Sequence, residues 1–183
     1  MAEPSATRIL PQFGASGVAE SLPPAARYIL RGSSEVRVAA ESAAGVGIPA
    51  QPCRAMTQGE RAALWLGPDE WLLIAPEAEG APLARSLEAA LAGLPHSLVE
   101  VSHRQGACRL HGPQAALLLA TGCPLDLDES AFPVGMCTRT VLAKAEVVLW
   151  RTAAQRFRLE VARSFVPYVA QFLAEAARGS MLD

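Results

Sequence analysis

The apolar residues of this chain come in short runs cut by glycine, proline and charge, and this segmentation limits the fold more than any other feature. The longest stretch without a formal charge, from Leu110 to Leu125, contains His111, Pro113, Gly122 and Pro124. No segment approaches the roughly 20 consecutive apolar residues that a membrane-spanning helix needs. Runs of this kind suit short strands with amphipathic helices packed on them. The chain is nevertheless apolar: 51% of its 183 residues belong to the hydrophobic set, 19% are charged, and mean hydropathy is +0.21. With the 14 glycines the apolar share is roughly 59%, against about 45–50% in an ordinary soluble domain. Without a membrane segment, the surplus has to be buried inside the chain or against another protein. The expectation is a working surface, an exposed apolar patch larger than the few hundred square ångströms usual for a monomer.

Charge narrows the partners. Sixteen basic and eighteen acidic residues give a net charge of −2 and are interspersed, so neither a disordered chain nor a polyanion-binding stripe is expected. Arginine supplies all the basic residues except Lys144, a bias that suits planar hydrogen bonding at interfaces. The N-terminus carries Glu3 and no basic start followed by an apolar core, so a cytoplasmic location is expected. Cys53, Cys108, Cys123 and Cys137 are widely spaced, with no CxxC pair. They are expected to be small buried hydrophobes rather than a disulfide scaffold or a zinc site.

Along the chain, residues 1–26 show neither a period of two nor of 3.6 and are expected to form an extended arm, with Ile9, Leu10, Phe13 and Leu22 lying against something. Residues 27–97 make a first lobe. Its β-type runs are Tyr28–Arg31 and Val36–Ala39, with a short Ala-rich helix over 39–46. A hairpin follows, of Ala62–Leu66 and Trp71–Ile74 around Gly67-Pro68-Asp69-Glu70. Leu83, Leu87, Leu91 and Leu94 then stand at helical spacing. Residues 98–183 make the second lobe. It has strands at Leu98–Val101 and Ala107–Leu110, a helix opened by Gly112-Pro113 and closed by Gly122-Cys123-Pro124, and β-type runs at 138–143, 147–152 and 156–161. Its last helix has Ser164 as N-cap and a stripe of Phe165, Val169, Phe172, Leu173 and Ala176. The fold class expected is α+β, two small lobes of antiparallel or mixed sheet with packed helices.

Chemistry is sparse. Gly45-Val46-Gly47 lacks a third glycine and runs into Pro49, and neither GxxxxGK[ST] nor GxSxG occurs. Cys123 stands at a helix C-terminus, where the dipole raises a thiol pKa. Asp126, Asp128 and Glu129 lack the glycine spacing of a calcium loop and fit a solvated turn. No catalytic, metal-ligating or cofactor-binding residue is assigned. Trp65, Trp71 and Trp150 on strands, and His103, Arg104 and Arg139 beside apolar strands, are the candidate interface residues. Core packing for the tryptophans and turn stabilisation for His103 stand beside that reading.

Several segments taken in order carry a resemblance. They are Leu66-Gly67-Pro68-Asp69-Glu70-Trp71-Leu72-Leu73, Val101-Ser102-His103-Arg104, Gly122-Cys123-Pro124-Leu125-Asp126-Leu127 and Phe132-Pro133. Arg139-Thr140 with Leu142, Lys144-Ala145, Leu149-Trp150-Arg151 and Arg163-Ser164-Phe165 complete them. Together, across roughly residues 60–178, they resemble the gamma subunit of heterotetrameric sarcosine oxidase. The resemblance implies a fold similar to the folate-binding T-protein of the glycine cleavage system, an aminomethyltransferase. It also implies a place beside alpha, beta and delta chains in a complex that oxidatively demethylates sarcosine to glycine. That complex forms hydrogen peroxide and releases the one-carbon unit as formaldehyde or as 5,10-methylenetetrahydrofolate. FAD, FMN and NAD would lie in the alpha and beta chains and zinc in the delta chain, with no cofactor in this one. The alternative is a stand-alone folate-binding or one-carbon-transfer protein, although the Lys-Gly-Cys motif of some relatives is absent, since Thr121 precedes Gly122-Cys123.

Overall fold

The computed structural model describes residues 19–179. In chain order the elements are β1 (Ala19–Ser21), β2 (Ala25–Gly32), α1 (Ser34–Ala44), β3 (Ala55–Gln58), β4 (Arg61–Gly67), β5 (Glu70–Pro76), α2 (Gly80–Ala90), β6 (His96–Glu100) and β7 (Gln105–His111). They continue with α3 (Ala115–Ala120), β8 (Cys137–Leu142), β9 (Ala145–Ala153), β10 (Arg156–Ala162) and α4 (Val166–Gly179). Two five-stranded sheets result, ordered β3-β4-β5-β2-β6 and β1-β7-β10-β9-β8. Every pairing is antiparallel, so the α+β class is met.

Strand alternation builds the layers. In β4 and β5, Ala63, Trp71, Leu73 and Ala75 face α1 and α2, while Ala62, Leu64, Leu66, Leu72 and Ile74 face the other sheet. The second sheet repeats this: Cys108, Leu110, Leu149, Phe157 and Leu159 pack on α3 and α4, and Trp150 and Cys137 turn inward. The molecule is thus four layers, helices, sheet, sheet, helices, with three apolar interiors between them. A sheet buried on both faces needs near-continuous apolar strands, and six of the seven residues of β5 are buried.

That layering buries apolar residues in three interiors. The large apolar side chains left exposed among the described residues are Val38 on α1, Met56 on β3, Val99 on β6, Leu117 on α3, Val134, Val141 on β8, Phe165 and Tyr168. Phe165 and Tyr168 stack edge to face at the start of α4, their ring centres 6.2 Å apart.

Four local expectations are corrected. Val36–Ala39 is helical, because Ser33 caps α1 by accepting a hydrogen bond from the Val36 amide at 3.4 Å and Val36, Ala40 and Ala44 recur every fourth residue on the buried side. The strand expected to open the second lobe runs over His96–Glu100 and pairs with β2, so it closes the first sheet. Of the expected arm, Ala19–Ser21 forms an edge strand on β7 of the second sheet, and Ala25 already belongs to β2; Ile9, Leu10 and Phe13 lie outside the described residues. At the C-terminus a 3-10 turn over Arg163–Phe165 displaces Ser164 from the cap and rotates the buried stripe to Val166, Val169, Leu173 and Ala177. Phe172 still packs beside Gly122, where a side chain would stand 2.5 Å from its ring and 3.0 Å from the Ala143 amide nitrogen.

The α1 correction has a signed test. Val38 is 57% exposed in mid-helix, so Val38→Ala should stabilise the chain by about 0.5 kcal/mol through helix propensity. Urea unfolding checks it; in a strand the same change would destabilise.

Candidate functional site

The polar residues of β2 and β10 look like a water-facing stripe: Arg27 and Arg31 alternate with Tyr28 and Leu30, and Arg158 and Glu160 with Phe157, Leu159 and Val161. In the structure that stripe is the seam between the sheets. Arg27 and Glu160 are each 2% exposed. Arg27 donates from Nε to Glu160 Oε2 at 2.6 Å and from Nη1 to the Ala25 carbonyl at 3.0 Å. Arg158 donates from Nε at 2.8 Å and Nη2 at 2.7 Å to Glu160 Oε1. Both carboxylate oxygens are therefore engaged by guanidinium groups, one contributed by each sheet. Ser102 completes the arrangement by accepting from the Arg27 amide at 2.9 Å.

A second clasp closes the seam at the hairpin turn. Glu70 accepts from Arg139 on β8, and Arg31 approaches its other oxygen at 3.6 Å. The Arg139 hydrogen bond is the main cause holding the Glu70 carboxyl below its ordinary value, against burial, which acts the other way; the charges of Arg139 and Arg31 add to the lowering. Beside it opens a cleft of about 380 Å³ lined by Gln105, Arg139, Val141, Glu146, Val148 and Glu160. At the far end, a space of about 290 Å³ lies against Pro23, Pro24, Ile74, Arg109, Trp150 and Arg158. Outside the seam, Tyr28, Glu88, Glu100 and His103 border a third cavity of about 420 Å³.

The six candidate interface residues do not converge. Trp71 is buried under the helices, donating from Nε1 to the Pro49 carbonyl at 2.8 Å, and Trp150 is buried in the seam; both serve the chain's own cores, which corrects their assignment to a partner surface. Trp65 is half-buried beside the same helix-side core as Trp71. His103 and Arg104 lie exposed on the 3-10 turn between β6 and β7. Arg139, half exposed, lines the cleft and holds Glu70. Reading the residues one by one missed Arg27, Glu160 and Arg158, because alternation cannot tell a face turned to water from a face turned to a second sheet. Arg151, in the Leu149-Trp150-Arg151 segment of the resemblance but not among the candidate interface residues, is 3% exposed; its Nη2 donates to the Leu127 carbonyl at 2.8 Å and its guanidinium carbon lies 4.7 Å from the Phe157 ring centre.

Glu160 and Glu70 are ion-paired, and burial pushes the Cys137 thiol up to about 12 and the Cys108 thiol higher still. Among the described residues no three His, Cys, Asp or Glu side chains group to hold a metal ion. Nor is any helix long and apolar enough to cross a membrane among those residues.

The sequence matches the family model described as sarcosine oxidase, gamma subunit family, over residues 33–179. The chain belongs to this family. A curated relative, sarcosine oxidase subunit gamma of Corynebacterium sp. (strain P-1), is 41% identical over 135 residues, 73% of this chain and 66% of the relative. The gamma subunit from Arthrobacter sp. is 40% identical over 136 residues, also covering 66% of its length. The match thus spans just under two thirds of these relatives. In the solved structure of heterotetrameric sarcosine oxidase from Corynebacterium sp. U-96 in complex with pyrrole 2-carboxylate, one chain superposes with a TM-score of 0.82 at 34% identity, covering 88% of this chain and 83% of that one. The glycine cleavage system aminomethyltransferase T of Bartonella henselae shares the fold, with a TM-score of 0.62 at 12% identity over 84% of this chain and 44% of that one. Two pairs of the segments that carry the resemblance touch: Glu70 meets Arg139, and Leu127 meets Arg151.

Two measurements probe the seam. Replacing Glu160 by Gln leaves two guanidinium groups uncompensated, and should lower unfolding free energy by about 3 kcal/mol in urea titrations. Glu70 has a folded pKa below its unfolded one, so its contribution is present above the ordinary carboxylate range and is lost as pH falls through the folded value. The stability gap between wild type and Arg139→Gln should therefore close as pH drops from about 7 to about 3. A gap independent of pH would remove the clasp as its origin.

Proposed function

We propose that this chain is the gamma subunit of a heterotetrameric sarcosine oxidase, a non-catalytic part assembled with alpha, beta and delta chains. The observation that carries the proposal is the superposition, at a TM-score of 0.82 and 34% identity, on a chain of such a complex. The ion pairing of Glu160 and Glu70 and the burial of Cys108 and Cys137 are consistent with that reading, in which this chain contributes docking rather than catalysis. In this reading the complex oxidatively demethylates sarcosine to glycine in the cytoplasm. Formaldehyde or 5,10-methylenetetrahydrofolate takes the one-carbon unit, and hydrogen peroxide is formed. FAD, FMN and NAD belong to the alpha and beta chains and zinc to the delta chain. The alternative, a stand-alone folate-binding protein, draws on the fold shared with aminomethyltransferase T, and calorimetry with tetrahydrofolate on the isolated chain tests it through the presence or absence of heat at millimolar ligand.

Co-expression with candidate alpha, beta and delta chains, followed by size exclusion, tests the subunit reading. This chain should co-elute with the other three in one peak that oxidises sarcosine. Elution of this chain alone, beside an active trimer, would overturn it.

A further inference from the structure

Residues 45–54, between α1 and β3, meet the approach to β8 through an isolated antiparallel bridge of Arg54 with Met136, the residue before that strand. The Ala55 amide donates to the Gly135 carbonyl at 2.8 Å, and the Cys137 amide donates to the Cys53 carbonyl at 3.0 Å. The second of these bonds puts Cys53 and Cys137 in direct backbone contact. With about 2.4 Å from a Cα to its carbonyl oxygen and about 1.5 Å from a nitrogen to its Cα, a 3.0 Å bond holds the two Cα atoms within about 7 Å of each other, the upper end of the roughly 4.4–6.8 Å that a disulfide spans. Both are free cysteines. We propose that Cys53 and Cys137 are a modification site, joined by a hydroperoxide into a disulfide that ties the first half of the chain to the second sheet.

The two thiols differ in the way such a pair needs. Cys53 is half-buried and in reach of solvent, on a left-handed backbone with φ 56° that few non-glycine residues adopt. Cys137 is fully buried, donates from Sγ to the Trp65 carbonyl at 3.6 Å, and is held protonated by burial, with the Cys53 charge pushing in the same direction. Oxidation therefore begins at Cys53. Its thiolate attacks one peroxide oxygen, the O–O bond breaks, and hydroxide leaves with a Cys53 sulfenic acid formed. The Cys137 sulfur, giving up its proton, attacks the sulfenic sulfur; the S–S bond forms, the S–O bond breaks, and a second hydroxide leaves. Two thiols are oxidised, one hydroperoxide is reduced, and with hydrogen peroxide the products are two waters. The oxidase reading above names a source of that oxidant; the pairing itself rests on the backbone hydrogen bond from the Cys137 amide to the Cys53 carbonyl.

The test uses the reduced full chain and added hydrogen peroxide, so its failure is distinct from failure of the co-expression experiment. Alkylation under denaturing conditions should count four thiols before treatment and two fewer after it. A non-reducing peptide map should show Cys53 linked to Cys137, and the melting temperature should rise by several degrees and fall back with dithiothreitol. Cys53→Ser, at a half-exposed position, should abolish the loss of thiols. The peptide map of the wild-type chain needs no variant and decides if Cys137→Ala fails to fold. Four alkylatable thiols after peroxide, Cys53 found only as a sulfur oxyacid, or Cys53 linked to Cys53 of a second copy would each overturn the proposal.

Discussion

The Arg27–Glu160 pair sets the terms for everything around it. A carboxylate and a guanidinium at 2% exposure are tolerable only if each remaining lone pair and N–H finds a partner. Glu160 meets that requirement with Arg27 from one sheet and Arg158 from its own strand, and Arg27 with the Ala25 carbonyl. Sliding β2 one residue against β5 and β6 would turn Arg27 toward α2 and bring Tyr28 into the seam. The pair therefore specifies register and the mutual placement of the sheets more than it adds stability. The apolar part of the seam, Leu64, Leu72, Ile74 and Trp150 among others, supplies area without direction.

Much of the fold was legible because local signals and global layering agreed. The hairpin over β4 and β5 had turn residues between two apolar runs, and α2 had leucines every fourth residue. The last three strands were bounded by polar turns at 143–144 and 154–155. Elsewhere the two levels disagreed. Val36 and Val38 have strand preference, yet the Ser33 cap and the burial of Val36, Ala40 and Ala44 make a helix. β6 carries no mark of which sheet it joins, since its side chains are mostly exposed and its allegiance comes from backbone pairing with β2.

The candidate site was harder to see than the fold for a physical reason. Aromatic residues on strands signal burial, and burial within the chain looks the same in sequence as burial against a partner. Trp71 and Trp150 went to the first use. Arginines alternating with apolar residues signal a wet face, and here Arg27 is buried between two sheets while Arg31 of the same strand stays exposed. The resemblance drew on pieces such as Glu70 with Arg139 and Leu127 with Arg151, which in space are fastenings between segments far apart in the chain. Arg27, Arg158 and Glu160, the fastening between the sheets, lie outside those segments, and Arg27 lies outside the family match as well.

The first strand of the described residues belongs to the second sheet. Ala19–Ser21 lies on β7, some ninety positions further along, while β2, three residues later, lies between β5 and β6 in the other sheet. The five strands of the first sheet all fall within residues 25–100, whereas the second sheet takes one edge strand from ahead of them. β1 has to wait for β7, and Glu160 in β10 has to arrive before Arg27 is neutralised. Such long closures make folding slow. Cutting the chain after β6 would leave the first sheet with all its strands but an unpaired Arg27, and the second sheet without β1.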